Sequence, residues 1–165
     1  MFSTPDLKDK YQKKVFQGFE SMKSFGNRDS FFGQIKTVTC HDDNSKVKEI
    51  LGTNGKGKVL VINSNLITHA AMIGDEIAQK AIDNEWNGIF VAGYVRDVEL
   101  LKEMDLGILA LGSTTTKTNK NNKGFLGEDV IFGGVIISEG SWIYADKNCL
   151  LYTSDAADEG LGVDL

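Results

Sequence analysis

Short runs of apolar residues recur along the chain and predict the strands of a buried sheet. Three of these runs come before residue 112, at residues 58–62, 88–92 and 107–111, and residues 33–40, which are rich in β-branched residues, predict a further strand. Continuous apolar runs of this length are typical of strands that are covered on both faces. Three further strands are predicted after the middle of the chain, at residues 130–138, 142–145 and 149–152.

In the segments between the predicted strands, apolar residues recur at the spacing of a helix. Thr4 and Pro5 predict an N-cap followed by proline at the first helical position, where its missing N–H group has no consequence. Three later helices are predicted: one through Val47, Ile50 and Leu51, one through Ile73, Ile77, Ala81 and Ile82 that ends near Asn84, and a short one over residues 95–102. Strands that alternate with helices favour α/β layering, and 165 residues fit one domain.

Three features depart from this pattern. Residues 113–123 form a polar stretch rich in Lys, Asn and Thr, and loops of this length often bind ligands. Gly133 and Gly134 fall in the middle of the strand predicted at 130–138 and indicate a bulge or a close backbone neighbour. From Thr153 onward apolar periodicity is lost, so we predict a domain over residues 1–152 and a loosely held tail over 153–165 that need not be native sequence.

Charge and composition narrow the possible functions. The net charge is −5 and the basic residues at 8–14 and 117–123 are interleaved with neutral ones, so both stretches are interpreted as solvated faces and no direct nucleic-acid binding is expected. No apolar run approaches the roughly 20 residues that span a bilayer, and the N-terminus lacks the apolar part of a signal peptide. Cys40 and Cys149 are interpreted as buried free thiols, which fits a cytoplasmic protein.

The residues that are most informative about function lie between Gly74 and Asp97. Gly74 and Asp75 open a predicted helix, and Arg96 and Asp97 follow a predicted buried strand after a turn at Gly93. Ligands of α/β proteins gather where loops leave the carboxyl ends of strands, so both segments can face one pocket. A helix N-terminus offers free N–H groups to a carboxylate, Arg96 can hold the same carboxylate, and Asp97 can hold a hydrated divalent cation.

The same residue types also have plainer interpretations. An Arg-Asp pair at a helix start is usually a capping and surface-charge arrangement, and Glu99 is spaced to pair with Arg96 along a helix. The cluster at residues 41–43 is predicted to be a polar turn, and His69 has no partner at the spacing of a metal site. Trp86 and Trp142 are expected to serve packing or subunit contacts.

Nine segments then occur in an order and spacing that resemble one known family. They are residues 25–28, 33–35, 56–61, 74–75, 84–88, 95–98, 105–107, 132–135 and 144–146, with the sequences FGNR, GQI, KGKVLV, GD, NEWNG, VRDV, DLG, FGGV and YAD. This series resembles the family of regulator of ribonuclease activity A and the class II 4-hydroxy-4-methyl-2-oxoglutarate aldolases. The resemblance extends over residues 4–152.

The resemblance implies a compact β/β/α domain of the swivelling type, assembled as a ring-shaped homotrimer with clefts between subunits. In the aldolase branch, residues like Gly74, Asp75, Glu76 and Ile77 meet the substrate carboxylate, an arginine like Arg96 binds the oxo acid, and an aspartate like Asp97 binds Mg2+ or Mn2+. An acid like Asp75 handles metal-bound water. The implied activity is metal-dependent cleavage of 4-hydroxy-4-methyl-2-oxoglutarate, or a related acid, to pyruvate, with oxaloacetate decarboxylation as a side activity.

The alternative implied by the resemblance is a regulator that inhibits ribonuclease E by protein contact. The founding regulator lacks the Arg-Asp pair, and this sequence keeps it, which favours the enzyme. Three departures point the other way. Residues 63–66 (NSNL) stand where the family has an Asp followed by three glycines, Cys149 stands where a glycine is usual, and the C-terminal extension of the longer aldolases is missing.

Overall fold

A computed structural model describes residues 2–18, 22–132, 134–154 and 160–161, with Phe132 described by its backbone alone. Its helices are α1 (Thr4–Lys10), α2 (Ser45–Leu51), α3 (Asp75–Asp83) and α4 (Val98–Leu101). Its strands are β1 (Val15–Gln17), β2 (Lys23–Ser24), β3 (Phe31–Thr39), β4 (Lys58–Asn63), β5 (Ala71–Ile73), β6 (Gly88–Val95), β7 (Gly107–Ser113), β8 (Phe125–Leu126), β9 (Val130–Phe132), β10 (Val135–Ile137), β11 (Trp142–Ala145) and β12 (Leu150–Thr153). The predicted mixed α/β architecture is therefore present.

One sheet organises the described part of the chain. Its strands lie in the order β1-β12-β11-β3-β4-β6-β7-β2, with β5 paired to β6 and β8 paired to β3. The central strands β3, β4, β6 and β7 run parallel, and antiparallel strands flank them on both sides. Because parallel strands end at the same edge, the segments that follow β5 and β6 leave the sheet close together.

Alternating side chains of the central strands separate two apolar clusters. Leu60 and Ile62 of β4 pack in a cluster with the helices, whereas Val59 and Val61 belong to a second cluster with the β9–β10 hairpin. All four side chains are fully buried. Helices therefore cover one face of the sheet and β structure covers the other, as the continuous apolar runs predicted.

The structure corrects the predicted start of the first helix. Ser3, not Thr4, is the N-cap of α1, and its hydroxyl accepts a hydrogen bond from the Asp6 N–H. Thr4 is the first helical residue and is buried. Its N–H and hydroxyl both donate to the Asp146 carboxylate, at 2.7 and 2.8 Å. Thr4 therefore anchors the helix to the sheet rather than capping it.

Two predicted helices begin later than their apolar spacing indicated. Ile73 belongs to the short strand β5, so α3 starts only at Asp75. β6 runs on to Val95, and α4 is limited to four residues. In each case a buried residue at the end of a strand was assigned to the helix that follows, because a short apolar run does not distinguish the two.

Two glycine predictions were also wrong. Gly93 lies within β6 rather than in a turn, and a Cβ there would come within 2.2 Å of Ser64 Oγ. Gly134, at a φ of +76°, lies in the turn between β9 and β10, so residues 130–138 form a hairpin instead of one bulged strand. Gly133 lies outside the described residues.

The domain boundary predicted after residue 152 stays a prediction, because residues 155–159 and 162–165 lie outside the described part. Leu161 is described and contacts the sheet: its N–H donates to Tyr144 Oη at 2.6 Å, and its carbonyl accepts from Tyr11 Oη at 3.2 Å. Within the described ranges, no helix is long and apolar enough to cross a membrane.

Candidate functional site

A cleft with a volume of about 220 Å³ opens at the start of α3. Five of the residues predicted to form a site line this cleft: Gly74, Asp75, Glu76, Ile77 and Arg96. The first four come from the N-terminus of α3 and the fifth follows β6, as expected from the parallel order of β5 and β6. The structure therefore brings the two predicted segments together.

The N-terminus of α3 presents unused donors to the cleft. Gly74 is the N-cap and has no side chain to accept from the first turn. Among the described residues, the N–H groups of Glu76 and Ile77 have no acceptor, whereas the Ala78 N–H already donates to the Gly74 carbonyl. Free N–H groups and the helix dipole make this end a suitable place for a carboxylate.

Arg96 and Asp97 form an ion pair beside that helix end. Asp97 has a left-handed backbone, with φ 56° and ψ 40°, and is the N-cap of α4. Its Oδ2 lies 3.1 Å from Arg96 Nε and 3.4 Å from the Asp75 N–H nitrogen. The Arg96 N–H donates to the Ile73 carbonyl, which ties the pair to β5. Left-handed backbone in a non-glycine residue is uncommon and is often found at functional positions.

Gly74 permits the close approach of this carboxylate. A Cβ at Gly74 would lie 2.4 Å from Asp97 Oδ2 and 3.1 Å from Arg96 Nε. The φ of −138° is open to any residue, so the glycine is required by space rather than by conformation. Asp97 consequently sits behind Gly74 and is not part of the cleft lining, unlike the other predicted residues.

The donor set decides which metal site is compatible with this chain. Within the described residues, no group of three His, Cys, Asp or Glu side chains lies close enough to share a metal ion. Asp97 offers one carboxylate, and both of its protein contacts are made to Oδ2. Mg2+ commonly binds through one or two carboxylates and keeps several waters. Asp97 therefore fits a hydrated Mg2+ and does not fit a site with three protein ligands.

Sequence reasoning missed a second set of lining residues. Lys48, Lys80, Lys117, Thr118 and Lys120 also line the cleft. Three of them lie in the polar stretch 113–123, whose lysines were interpreted as a solvated face. The only signal in the sequence was the length and polarity of that loop.

The 113–123 loop is fixed to the fold at both of its sides. Its Thr116 carbonyl accepts from the Ala71 N–H at 2.9 Å, and its Asn119 N–H donates to the Asp42 carbonyl at 2.9 Å. Its Asn121 N–H donates to the buried carboxylate of Asp43. Burial opposes ionisation of Asp43, but its hydrogen bonds outweigh burial and lower the pKa of this carboxyl. The loop is therefore held in place by an ionised aspartate.

Thr118 carries an unusual hydroxyl. Thr118 is 7% exposed, and its Oγ1 is buried without a hydrogen-bond partner in the described part of the chain. A buried polar group without a partner is destabilising by about 1–3 kcal/mol. Such a group in a cleft lining indicates that its partner is a ligand or solvent.

The substituted loop at residues 63–66 lies outside the cleft lining. Ser64 Oγ donates to the Ala92 carbonyl at 2.7 Å and so packs the loop against β6. Asn65 and Leu66 both have positive φ, at 59° and 60°, a region that glycine adopts without strain. The backbone has thus kept a conformation suited to glycine, although the residues are not glycines.

The remaining predicted features have structural partners. Glu99 pairs with Lys102 at 3.1 Å rather than with Arg96, so that prediction was wrong. His69 lies 3.5 Å from the Asp42 carboxylate. Trp86 is buried and donates its indole N–H to the Thr53 carbonyl. Burial raises the pKa of the Cys40 thiol to about 12, which keeps it protonated.

The fold and the site define the class of this protein: it is a layered α/β domain with a cleft at a helix N-terminus. The family model described as RraA-like, Aldolase/RraA, matches residues 4–151. The chain therefore belongs to the RraA-like family, as the resemblance of the nine segments predicted.

Curated relatives and solved structures agree with this assignment. A protein of Vibrio cholerae is 44% identical over 94% of this chain and 96% of its own length, and one of Pseudomonas aeruginosa is 43% identical over the same shares. Both carry the name "Putative 4-hydroxy-4-methyl-2-oxoglutarate aldolase". The solved structure of the RNA-processing inhibitor RraA from Thermus thermophilis matches with a TM-score of 0.91 and 33% identity, covering 98% of each chain. Names within the family thus point to more than one activity.

Proposed function

We propose that this protein is a divalent-metal-dependent lyase that cleaves 4-hydroxy-4-methyl-2-oxoglutarate, or a related 4-hydroxy-2-oxo acid, to pyruvate and a second oxo acid. The observation that carries the proposal is the convergence of the free N–H groups of Glu76 and Ile77 with Arg96 in one cleft. The names of the relatives at 43–44% identity support an aldolase role.

The N-terminus of α3 and Arg96 bind the end of the substrate that carries the 2-oxo group and its carboxylate. The N–H groups of Glu76 and Ile77 donate to the substrate carboxylate, and the terminal nitrogens of Arg96 donate to the carboxylate and the neighbouring oxo group. Nε of Arg96 is already engaged by Asp97, which orients the guanidinium before the substrate binds. This pre-organisation lowers the entropy that substrate binding must overcome.

Cleavage requires a proton acceptor and a proton donor. The C3–C4 bond breaks as the proton leaves the 4-hydroxyl group, and a proton must then be delivered to C3 to release pyruvate. We propose that Asp75 accepts the proton of the 4-hydroxyl group and delivers a proton to C3, because Asp75 lines the cleft beside the free N–H groups of Glu76 and Ile77. Loss of the C4 carboxyl group of oxaloacetate as CO2 leaves the same enolate, so oxaloacetate decarboxylation is expected as a side activity.

Asp97 is the residue proposed to hold the cation, Mg2+ or Mn2+. When bound, the cation supplies a Lewis acid that stabilises negative charge on the enolate oxygen. The contacts from Arg96 and the Asp75 N–H fix the Asp97 carboxylate, and Gly74 leaves it room. Binding through a single carboxylate favours a cation that retains water ligands.

Pyruvate release tests the proposal, measured from 4-hydroxy-4-methyl-2-oxoglutarate and from oxaloacetate, with Mg2+ or with EDTA. Asp97→Asn tolerates the left-handed backbone and removes the charge. We expect it to lose metal-dependent turnover, while Asp9→Asn, an exposed aspartate of α1, keeps it. An unchanged rate in Asp97→Asn, or full activity in EDTA, would refute the proposed role of the metal.

A second candidate function is a protein-binding regulator that inhibits ribonuclease E. It is favoured by the 0.91 TM-score and 33% identity to the RNA-processing inhibitor RraA, and by a net charge of −5 that suits a basic partner segment. Affinity capture with a ribonuclease E scaffold region at low salt tests it. Capture by a folded protein that releases no pyruvate would favour the regulator, and no capture would exclude it.

We also propose that the chain assembles as a ring-shaped homotrimer. Among the described residues, four of the seven large apolar side chains that are more than a third exposed belong to β8 and the β9–β10 hairpin, namely Phe125, Leu126, Ile131 and Ile136. Exposed apolar patches commonly mark protein interfaces. Light scattering coupled to size exclusion measures the mass directly, and a monomer at micromolar concentration would contradict the proposal.

A further inference from the structure

A histidine connects the two segments that hold the 113–123 loop. His69 lies between β4 and β5, and its Nε2 is 3.5 Å from Oδ2 of Asp42, which belongs to the turn between β3 and α2. The same oxygen accepts a hydrogen bond from the Asn119 side chain at 3.0 Å, and the Asp42 carbonyl accepts from the Asn119 N–H at 2.9 Å. His69 and the loop therefore share one aspartate.

The contacts around Asp42 close a ring. Its members are, in order, Asp42, Asn119, Thr116, Ala71 and His69. The Ala71 N–H donates to the Thr116 carbonyl at 2.9 Å, and Ala71 is buried, so the backbone close to His69 is fixed in the fold. The His69–Asp42 contact thus links the two anchors of the loop. A link between anchors lowers the entropy that loop closure costs, so a stronger link favours the closed loop.

Polar contacts hold most of this loop in place. Of residues 117–123, Thr118 alone is buried. The further ties of the loop include hydrogen bonds from the N–H groups of Asn121 and Asn122. Segments with few buried contacts open at a low free energy. A contact of modest strength is therefore enough to change how often the loop is open.

Protonation decides the strength of the His69–Asp42 contact. A histidine side chain ordinarily changes its charge between pH 5 and 8, and the protonated ring forms an ion pair with a carboxylate. Residues 64–70 carry no other charged side chain. The charged and titratable groups of the adjoining turn, of the start of α2 and of the loop are His41, Asp43, Lys46, Lys48, Lys117, Lys120 and Lys123.

The neighbouring charges do not supply the pH dependence. The lysines oppose protonation of His69 and Asp43 favours it, but lysines and aspartates ordinarily keep their charge between pH 5 and 8. His41 is the other group of this set that changes charge in that range. Any change in the loop between pH 5 and 8 is therefore expected to come from one of the two histidines.

We propose that the His69–Asp42 pair is a pH-sensitive device that controls the 113–123 loop: a proton on His69 holds the loop closed over its side of the cleft, and loss of the proton loosens it. The ion pair favours the closed loop only while His69 is protonated, so the closed loop is most populated near pH 5 and its advantage is lost as the pH rises toward 8. Because the loop supplies three residues to the cleft lining, acidification tightens one wall of the cleft. The inference goes beyond the proposed lyase activity, since it concerns the loop without substrate.

Hydrogen exchange of the loop amides tests this device without any ligand. Protection factors of the Asn119 and Asn121 N–H groups, corrected for the intrinsic effect of pH, are compared at about pH 5.5 and pH 7.5. Both members of the pair are partly exposed, at 63% and 38%, so solvent screens the contact. We expect protection about two- to fivefold higher at the lower pH. The Val61 N–H of the buried strand β4 reports any change in global stability.

The two histidines of the chain supply a matched pair of variants. His69→Gln removes the titrating group, so loop protection should be the same at both pH values. His41→Gln is the control, because His41 is exposed and lies next to Asp42, and it should keep the full response. Asp42→Asn tolerates the positive φ of 40° and can still accept from Asn119, but it should lose the response because the ion pair is gone.

The outcomes separate this inference from the proposed function. Equal loop protection at both pH values in the wild type, or a response that survives in His69→Gln, would overturn the device. A response that is lost in His41→Gln and kept in His69→Gln would overturn it as well. Absence of pyruvate release from every substrate, with the response intact and dependent on His69, would overturn the lyase assignment and keep the device.

Discussion

Replacement of Gly74 by alanine tests whether the close approach of the Asp97 carboxylate shapes the site. The added Cβ would lie 2.4 Å from Asp97 Oδ2, while an ordinary carbon-to-oxygen contact is about 3.3 Å or longer. The carboxylate must therefore move by about 1 Å. Overpacking of this kind is destabilising by about 1–3 kcal/mol, and the change from glycine to alanine at an N-cap adds about 0.5–1 kcal/mol.

A double-mutant cycle separates these two contributions. Urea unfolding of wild type, Gly74→Ala, Asp97→Gly and the double variant gives four free energies of unfolding. Glycine tolerates the left-handed backbone at position 97, so Asp97→Gly removes the carboxylate without adding strain. We expect Gly74→Ala to be less destabilising by about 1–2 kcal/mol in the Asp97→Gly background, because the clash with the carboxylate is absent there and only the capping contribution and the 3.1 Å contacts with Arg96 remain.

Equal destabilisation by Gly74→Ala in the two backgrounds would refute this reasoning. It would mean that the extra methyl group is accommodated by the backbone rather than by displacement of Asp97. A rate assay adds a second readout: a shift of about 1 Å in a site group commonly lowers turnover about 100-fold, so pyruvate release from oxaloacetate should fall accordingly.

Three further predictions follow from the described contacts. Leu66→Gly should raise the free energy of unfolding by about 0.5–1 kcal/mol in urea titrations, because relief of the left-handed strain exceeds the added entropy of the unfolded chain. Leu66→Ala keeps a Cβ at φ 60° and should not raise the free energy of unfolding. Burial disfavours ionisation of Asp146, but hydrogen bonds from Thr4, Asn148 and Cys149 outweigh burial and lower the pKa of its carboxyl. The ionised carboxylate therefore stabilises the fold above the unfolded pKa of about 3.9, and this stabilisation is lost as the pH falls through the lower folded pKa. Asp146→Asn should therefore be destabilised by about 1–2 kcal/mol at pH 7, and the gap to wild type should narrow at pH 3; a gap that is independent of pH would contradict this. Cys40, buried with a pKa of about 12, should resist a thiol reagent at pH 8 until the protein is unfolded, and native labelling as fast as that of the unfolded chain would contradict its burial.

The sheet and half of the cleft could be predicted from the sequence because their residues carry patterned signals. The apolar run of β4 requires burial on both faces, and Gly74-Asp75 and Arg96-Asp97 sit at ends of elements where α/β ligands gather. The starts of α3 and α4 were predicted too early, because the buried ends of β5 and β6 continue the apolar pattern of the helices.

The basic half of the cleft could not be predicted, because nothing local distinguishes its lysines from solvated ones. Lys117 and Lys120 line the cleft only because β5 and the turn at Asp42 and Asp43, both distant in sequence, hold the loop in position. Thr118 shows the same limit: an unpartnered buried hydroxyl is a property of packing and not of residue type. The left-handed conformation of Asp97 likewise became visible only in the structure.

The way in which the 113–123 loop is held has an evolutionary consequence. Its ties to Ala71, Asp42 and Asp43 use main-chain atoms of the loop, and Asn119 is the described loop residue that also contributes its side chain. Substitutions at other loop positions should therefore leave the loop conformation intact. After gene duplication, or in a library randomised at positions 117, 118 and 120, this side of the cleft lining can therefore vary while the conformation of the loop and the residues of the helix end are inherited unchanged.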